Sequence, residues 1–434
     1  MTERHGEGDG QGDGSTAGQR PGGSPAGGAP RGVTRPLSIT VVCYPGLGGS
    51  GVVAAELALG LAARGHRIHV VSTAVPERLQ AEHGSGARPE IRFERVEVPG
   101  SPVFEHAPYD VAVASHLVEL ARREPIDLVH LHYAVPHAVS ALLVRQVLGV
   151  AAPATVVTLH GTDVTRLGAH PSLHAVTAFA VAAADGITAP SRYLREAAVE
   201  RFGLAAERIE VIPNFVDLAR FIPPAGRDRH AGLAALFARG PGAGPGHDGD
   251  DGPILFHVSN FRPIKRPLDL IEVLVRVRRS LPARAVLVGD GPERDAVARR
   301  AHELGVGDAV CMLGRRDDFC QLLRHADGFV LPSESEGFGV AALEAMAAGV
   351  PVFGYRVGGL PEVVTDGAGT LVPCCDVDAL AAAVVAGVGD RAVRDAMGRT
   401  ARARAEERFG REAAVVRYET YFRHVLASRA QGGS

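Results

Sequence analysis

Two rhythms of apolar and polar positions alternate along most of the chain. Short β-branched runs read as strands: Ser38 to Tyr44, Ile68 to Ser72, Ile126 to His132, Ala154 to Leu159, Ile187 to Ala189 and Ile209 to Ile212. Several are almost continuously apolar, as strands covered on both faces are. Helical spacing fills several of the gaps, most clearly from Val52 to Ala63. A second series follows: strand Ile254 to Ser259, helix Leu268 to Arg279, strand Ala285 to Val288, helix Glu293 to Leu304, strands Ala309 to Leu313 and Gly328 to Leu331, helix Val340 to Ala348 and strand Val352 to Tyr355. Such alternation predicts an α/β protein with two Rossmann-like halves, each a parallel sheet covered by helices, facing a central cleft. A last helix, Arg411 to Ala427, carries apolar positions at Val415, Val416, Tyr418, Tyr421, Phe422 and Val425, which predict that it packs on a domain.

The breaks in this pattern set the expected boundaries. Residues 1–35 are Gly, Pro, Ser and charge, a composition that cannot offset its ordering entropy, so a disordered tail is expected there. Residues 36–222 form the expected N-terminal half and 253–408 the C-terminal half, with 409–434 as closing helix and tail. Between the halves, 223–252 reads as a linker or insertion around one possible short helix, 232–238.

Composition narrows the function. A formal net charge of −3 with no basic stripe argues against nucleic-acid binding. No window reaches the ~18 uncharged apolar residues of a membrane span. The five cysteines lack metal or redox spacing, and the N-terminal stretch lacks the apolar centre of a signal peptide, so a cytoplasmic protein is expected. Lysine and arginine together number 46, yet Lys265 is the single lysine. In a chain that otherwise uses arginine for positive charge, a retained lysine points to a site that needs a compact ammonium.

Candidate chemistry lies just after the strands, where open α/β sheets bind ligands. Gly46-Leu47-Gly48-Gly49-Ser50-Gly51 matches a phosphate-approaching glycine loop, and its plain alternative is a tight strand-to-helix turn. A nicotinamide site would want an acidic residue at the end of the second strand, but Ser72-Thr73-Ala74-Val75 supplies none. Ser259-Asn260-Phe261-Arg262-Pro263-Ile264-Lys265-Arg266 places three cations after a strand, unless it is merely a solvated loop. Gly289-Asp290-Gly291-Pro292 follows another strand and suits a helix-capping turn equally well. Glu336 and Glu344 stand eight positions apart, with only glycine and apolar residues between them. His130, His132 and His137 invite a zinc reading, but no carboxylate or cysteine completes a shell, and the acidic run 248–251 lies away from any strand end. Cys374-Cys375 reads as structural or incidental.

Taken together, Glu336 through Glu344 and Gly289-Asp290-Gly291-Pro292 resemble the retaining family-4 glycosyltransferases of GT-B fold, over a span from Leu37 to the C-terminus. The blocks around Cys43-Tyr44-Pro45, Gly48 to Gly51, His132 to Ala138, Thr158 to Thr165 and Val258 to Arg262 resemble the branch acting on malate, at the first step of bacillithiol synthesis. The resemblance implies transfer of N-acetylglucosamine from UDP-N-acetylglucosamine to the L-malate hydroxyl, with retention, no metal and no cofactor. It implies that Lys265 and Arg262 hold the diphosphate, although many relatives carry the arginine where this chain has Asn260. Glu344 would take the ribose, and Glu336 with the amides of Gly337, Phe338 and Gly339 the sugar. His160 would touch the sugar from the other half, with Gly49, Asn260 and Gly289 completing the donor site. Ser50, Tyr133 and Thr162 would face the acceptor, with Arg166 or His174 near its carboxylates. The implied partners are small molecules, and association with a second copy of the chain is left open. Three rivals stand: a mycothiol-type transferase using inositol phosphate or another family-4 hexosyltransferase, a non-catalytic nucleotide-sugar binder, and a dinucleotide oxidoreductase using Gly46 to Gly51.

Overall fold

The computed structural model describes residues 35–46, 49–83, 90–100, 106–224, 233, 236, 237 and 252–432. The expected tail up to residue 34, most of the expected linker and of its short helix, and the acidic run 248–251 lie outside these residues, as do residues 47 and 48 of the glycine loop; residues 233, 236 and 237 are helical.

The first sheet has seven parallel strands: β1 (Ser38–Val42), β2 (Arg67–Ser72), β3 (Ile91–Arg95), β4 (Leu128–His132), β5 (Ala154–Thr158), β6 (Gly186–Ala189) and β7 (Ile209–Val211), in the order β3-β2-β1-β4-β5-β6-β7. Ile39 and Val41 point to the face covered by α1 (Gly49–Ala63) and α2 (Glu77–His83). Val42 points to the opposite face, under α3 (Tyr109–Arg123), α4 (Val139–Leu148), α6 (Pro171–Ala182) and α7 (Arg192–Phe202); the single turn α5 (Thr162–Thr165) lies between α4 and α6. This is the two-residue alternation of a strand, apolar on both sides because both sides are covered.

The second sheet has six parallel strands: β8 (Ile254–Val258), β9 (Arg284–Val288), β10 (Val310–Met312), β11 (Gly328–Leu331), β12 (Val352–Tyr355) and β13 (Gly369–Val372), in the order β10-β9-β8-β11-β12-β13. Its helices are α8 (Pro267–Val277), α9 (Arg294–Glu303), α10 (Phe319–Leu323), α11 (Val340–Ala347), α12 (Leu360–Val363), α13 (Val377–Val388) and α14 (Arg391–Phe409). In each sheet the order reverses beside its first strand, between β1 and β4 and between β8 and β11. Such reversals open a crevice at the carboxyl ends of the strands, and the loops carrying the candidate residues start there.

Among the elements that escape the sequence pattern are two strands and two long helices. β3 is a partly exposed edge strand with three charges in five residues, and β13 has only four residues. α13 carries small residues on most of its faces, and α14 buries chiefly Gly398, Ala401, Ala405 and Phe409 beneath a run of arginines, so neither shows a strong apolar stripe. α1 starts at Gly49, earlier than expected, so the glycines form its first turn. The closing helix α15 (Arg411–Gly432) returns to the first half, where Tyr418 and Phe422 join Leu57 and Leu61 in one core, while Val416 is exposed.

Candidate active site

The loop after β8 is fixed by the turn after β9. Gly289 and Gly291 have φ of +125° and +159°, and a Cβ on either would run into the carbonyl oxygens of Ser259 and Asn260. The glycines of this turn therefore serve the close approach of two loops. Phe261 buries its ring, and its carbonyl accepts the Glu293 amide at 3.0 Å. Buried His257 bonds the Val330 carbonyl and the Ser259 hydroxyl, each at 2.8 Å. This scaffold presents Asn260 and Arg262 exposed, and Lys265 in a 3-10 turn before α8. The third cation is otherwise engaged: Arg266 grips Asp269 through two hydrogen bonds, 2.7 and 3.1 Å.

Lys265 Nζ donates to Glu336 Oε1 at 2.7 Å, so two residues 71 positions apart form one charged pair at the crevice. Glu336 sits on the loop between β11 and α11. The next residue, Gly337, touches the other half: a Cβ there would lie 2.7 Å from the His160 carbonyl oxygen and 3.2 Å from Gly161 Cα. Its own carbonyl accepts the Ser191 hydroxyl at 2.7 Å. Phe338 does not face the crevice; its ring is buried against Phe409, which leaves only its backbone for a ligand. Gly339 turns the chain into α11, with φ of +102°. The first residue of that helix, Val340, lies 3.5 Å from where a Gly49 Cβ would be. The amino-terminal ends of α1 and α11 thus meet, and both present free amides and positive dipole ends to an anion.

Glu344, one turn into α11, is buried, and burial pushes its carboxyl up to about 8; the Arg220 charge opposes this and Glu56 reinforces it. Arg78 Nη2 stands 3.4 Å from Glu344 Oε1, and Arg78 Nε 3.7 Å from Glu56 Oε1. Arg78 and Glu56 come from α2 and α1. Nothing in the sequence pattern marks either, because they meet Glu344 only through the fold.

On the opposite wall, β4 and β5 end in two loops joined by Asp163. Its buried carboxylate accepts the amides of Ala134 (3.0 Å), His160 (3.0 Å) and Gly161 (2.8 Å). Sequence reasoning had no signal for this role beyond an aspartate near a turn. Tyr133, at φ of +89°, stacks on His160 with ring centroids 5.3 Å apart. Its hydroxyl bonds the Thr162 and Ser50 side chains, within the field of Arg262 from the other half. Ser50, Tyr133, Thr162, His160 and Arg262 therefore meet at one place. His174 is occupied elsewhere, on the Gly168 carbonyl at 2.8 Å, while Arg166 is exposed.

His132 Nδ1 lies 3.0 Å from His160 Nε2, and His130 Nε2 lies 2.7 Å from the Thr158 hydroxyl. Burial holds these imidazoles neutral, His160 and His130 at about 3 and His137 at about 4. They bond one another and the backbone, and among the described residues no group of His, Cys, Asp or Glu is arranged to hold a metal ion.

The arrangement pairs a cationic, amide-rich pocket with a buried carboxylate on one wall and a cluster of hydroxyls on the other. Comparisons with known proteins agree with it. Residues 47–220 match the model described as Glycosyltransferase Family 4, and residues 246–404 that described as Glycosyl transferases group 1. The N-acetyl-alpha-D-glucosaminyl L-malate synthase of Bacillus anthracis is 37% identical over 402 residues, 91% of this chain and 99% of that one. A D-inositol 3-phosphate glycosyltransferase of Nocardia farcinica is 36% identical over 222 residues, 49% of this chain and 46% of its own. Among solved structures, sucrose-phosphate synthase from Thermosynechococcus elongatus superposes with a TM-score of 0.72 at 22% identity, covering 90% of this chain and all of that one. The Anabaena protein HepE, solved with UDP and glucose, gives 0.70 at 21% identity, covering 89% and 99%.

Proposed function

This chain belongs to glycosyltransferase family 4, with two parallel-sheet domains of GT-B type, and from that premise we propose that it transfers N-acetylglucosamine from UDP-N-acetylglucosamine to the hydroxyl of L-malate with retention of the α configuration. The observation that carries this reading is the match along 99% of a malate synthase, whereas the inositol-phosphate enzyme matches over less than half its length. The convergence of Ser50, Tyr133 and Thr162 supports it as an acceptor pocket for a small hydroxy acid.

In this reading the ribose hydroxyls donate to Glu344. The diphosphate lies between Lys265, Arg262 and the amides at the starts of α1 and α11. Charge develops on the β-phosphate as the bond to the anomeric carbon breaks, and cations and oriented amides brought to that point lower the barrier. Lys265, with its flexible stem, turns from Glu336 toward the phosphate, which frees Glu336 to accept a sugar hydroxyl. His160 faces the sugar from the opposite wall. The malate hydroxyl attacks the face the phosphate leaves, and its proton passes to a departing phosphate oxygen. Arg262, whose charge already reaches Tyr133, attracts the malate carboxylates. No divalent ion has a part in these steps, and the reaction is placed in the cytoplasm, where UDP-sugars are made.

The test offers UDP-N-acetylglucosamine with L-malate or with inositol phosphate, reading product mass and the anomeric proton coupling. An α-linked malate adduct is expected. Turnover of inositol phosphate without malate overturns the acceptor, a β-linked product overturns retention, and NAD binding with UDP ignored overturns the whole reading.

A further inference from the structure

Three of the five cysteines are shielded: Cys43 and Cys320 are buried, Cys311 is partly so, and burial pushes the Cys43 thiol up to about 12. The other two are adjacent, exposed and in contact. Cys374 and Cys375 stand on the loop between β13 and α13, with their sulfurs 3.0 Å apart. The loop is pinned at both ends. The Arg356 amide donates to the Val372 carbonyl at 2.7 Å, and the Asp376 carboxylate caps α13 by accepting the Ala379 amide at 2.9 Å. Cys375 has a φ of +65°, a left-handed conformation that glycine adopts more freely than any residue with a side chain.

The pair faces the turn that carries the single lysine. Arg266, the residue after Lys265, interacts electrostatically with both sulfurs. It also holds Asp269, which accepts the Tyr355 hydroxyl at 2.7 Å. Its guanidinium stands 3.8 Å from the Glu334 carboxylate, and the Glu334 amide donates to the Ile264 carbonyl at 2.9 Å. A polar network thus runs from the two sulfurs to the residues on either side of Lys265.

We propose that Cys374 and Cys375 are a redox modification site, which low-molecular-weight disulfides oxidise to a vicinal disulfide that loosens the turn holding Lys265. Exposed thiols beside a cation and next to a second cysteine are the ones such oxidants reach. Partial desolvation and the hydrogen bond to Cys375 push the Cys374 thiol up to about 11, so Cys374 keeps its proton and Cys375 supplies the attacking thiolate. Attack breaks the oxidant's S–S bond, forms a mixed disulfide on Cys375 and releases one thiolate, which takes up a proton from water. The charge on Cys375 is then gone, so Cys374 ionises, attacks the Cys375 sulfur and expels the second thiol. The chain has lost two protons and two electrons, and the oxidant has become two thiols. Adjacent Cα atoms stand about 3.8 Å apart, closer than the ~4.4–6.8 Å of an ordinary disulfide, so the product is strained and readily reduced. Arg266 loses a thiolate partner, and the loop shifts against the turn. The oxidation rests on the pair alone; its bearing on transfer rests on the reading of Lys265 as a diphosphate ligand.

The test treats the full chain with hydroxyethyl disulfide and reads intact mass, peptide map and hydrogen exchange. A loss of two hydrogens, located to residues 374 and 375 and reversed by dithiothreitol, is expected. Cys374→Ser should stop at the mixed disulfide on Cys375. The amides of Lys265, Arg266 and Asp269 are bonded within the turn, so exchange across 262–269 should rise severalfold on oxidation. It should not rise in a chain carrying both Cys374→Ser and Cys375→Ser and treated alike. UDP affinity of the oxidised wild-type chain should fall severalfold. An unmodified chain, a mixed disulfide that persists in wild type, or a bond to another cysteine overturns the site. A vicinal disulfide with unchanged exchange at 262–269 overturns its coupling to the turn. A reduced chain that ignores UDP overturns the nucleotide reading instead, and mass and exchange still decide the thiol site.

Discussion

Lys265 Nζ and Glu336 Oε1 lie 2.7 Å apart across the crevice, and they are the residues that the proposed reaction separates. The pair is mostly buried, with side-chain exposures of 23% and 11%, so the cost of desolvating two charges offsets much of their attraction. Its value is as a poised charge, since an ammonium on a flexible stem can exchange a carboxylate for a phosphate oxygen. A guanidinium is broader and would keep Glu336 in a fork. Lys265→Arg is therefore expected to lower kcat/KM for the donor about a hundredfold, with the loss mainly in kcat. Steady-state kinetics of the variant check this, and near-normal turnover would mean that the site does not need a lysine.

Glu344 should give the site a pH dependence of definite sign. Burial raises its carboxyl to about 8, so the folded chain holds this proton more tightly than the unfolded chain does. The stabilisation from that proton is complete below the ordinary carboxylate range and is lost as pH rises toward about 8. Glu344→Gln cannot ionise. Its melting temperature relative to wild type is expected to climb across that window and then level, by the equivalent of about 2 kcal/mol. Binding of UDP should move oppositely: it strengthens in the wild-type chain as Glu344 ionises, and becomes weaker and less pH-dependent in the variant. A difference in melting that is flat with pH would mean that Arg78 keeps Glu344 charged throughout.

Local pattern made much of this legible. Strands such as Val352–Tyr355 and Gly328–Leu331 fall at their expected bounds because a covered strand must be apolar on both sides. Lys265, Glu336 and Glu344 were visible because each stands in a distinctive local run. Arg78, Glu56, Asp163 and Ser191 were not, because their partners lie on other strands or in the other half. Asp163 looks like one more turn aspartate until β4 and β5 pair side by side and bring the Ala134 amide to it.

His132 should act on the chemistry through His160. The two neutral rings share one proton between His132 Nδ1 and His160 Nε2. His132 Nε2 is buried with no hydrogen-bond partner, and a bare nitrogen is cheaper there than an unpaired N–H. The proton therefore sits on His132 Nδ1, and His160 must carry its own on Nδ1. His132→Phe removes this control and is expected to lower kcat about tenfold while donor KM changes little; His132→Asn, which can still donate, should recover most of it. Nitrogen-15 tautomer spectra of His160 in the wild-type and Phe variants test the cause directly. An unchanged tautomer would sink the idea whatever the rates.

The proposed use of cations and helix termini in place of a divalent ion predicts insensitivity to chelation. Exhaustive dialysis against EDTA is expected to leave the initial rate unchanged, and added magnesium or manganese to leave it so. A rate that collapses and returns with one of those ions would require a metal in the diphosphate pocket.

Gly337 tests whether the contact between the walls belongs to the working state. Adding one methyl places a Cβ 2.7 Å from the His160 carbonyl oxygen, and backbone on both sides leaves no flexible side chain to yield. The walls must part by several tenths of an ångström at the point where Glu336 and His160 would share the sugar. Misplacement of that order costs about a hundredfold in rate, so Gly337→Ala is expected to lower kcat/KM by that factor. Each sheet keeps its own core, so the melting temperature should barely move. The proposed UDP contacts through Lys265 and Glu344 lie on one wall, so UDP affinity should fall much less than the rate. Equal losses in UDP affinity and rate would instead mean that the substitution had damaged the nucleotide pocket itself, and a wild-type rate would mean that catalysis does not need the walls to touch there.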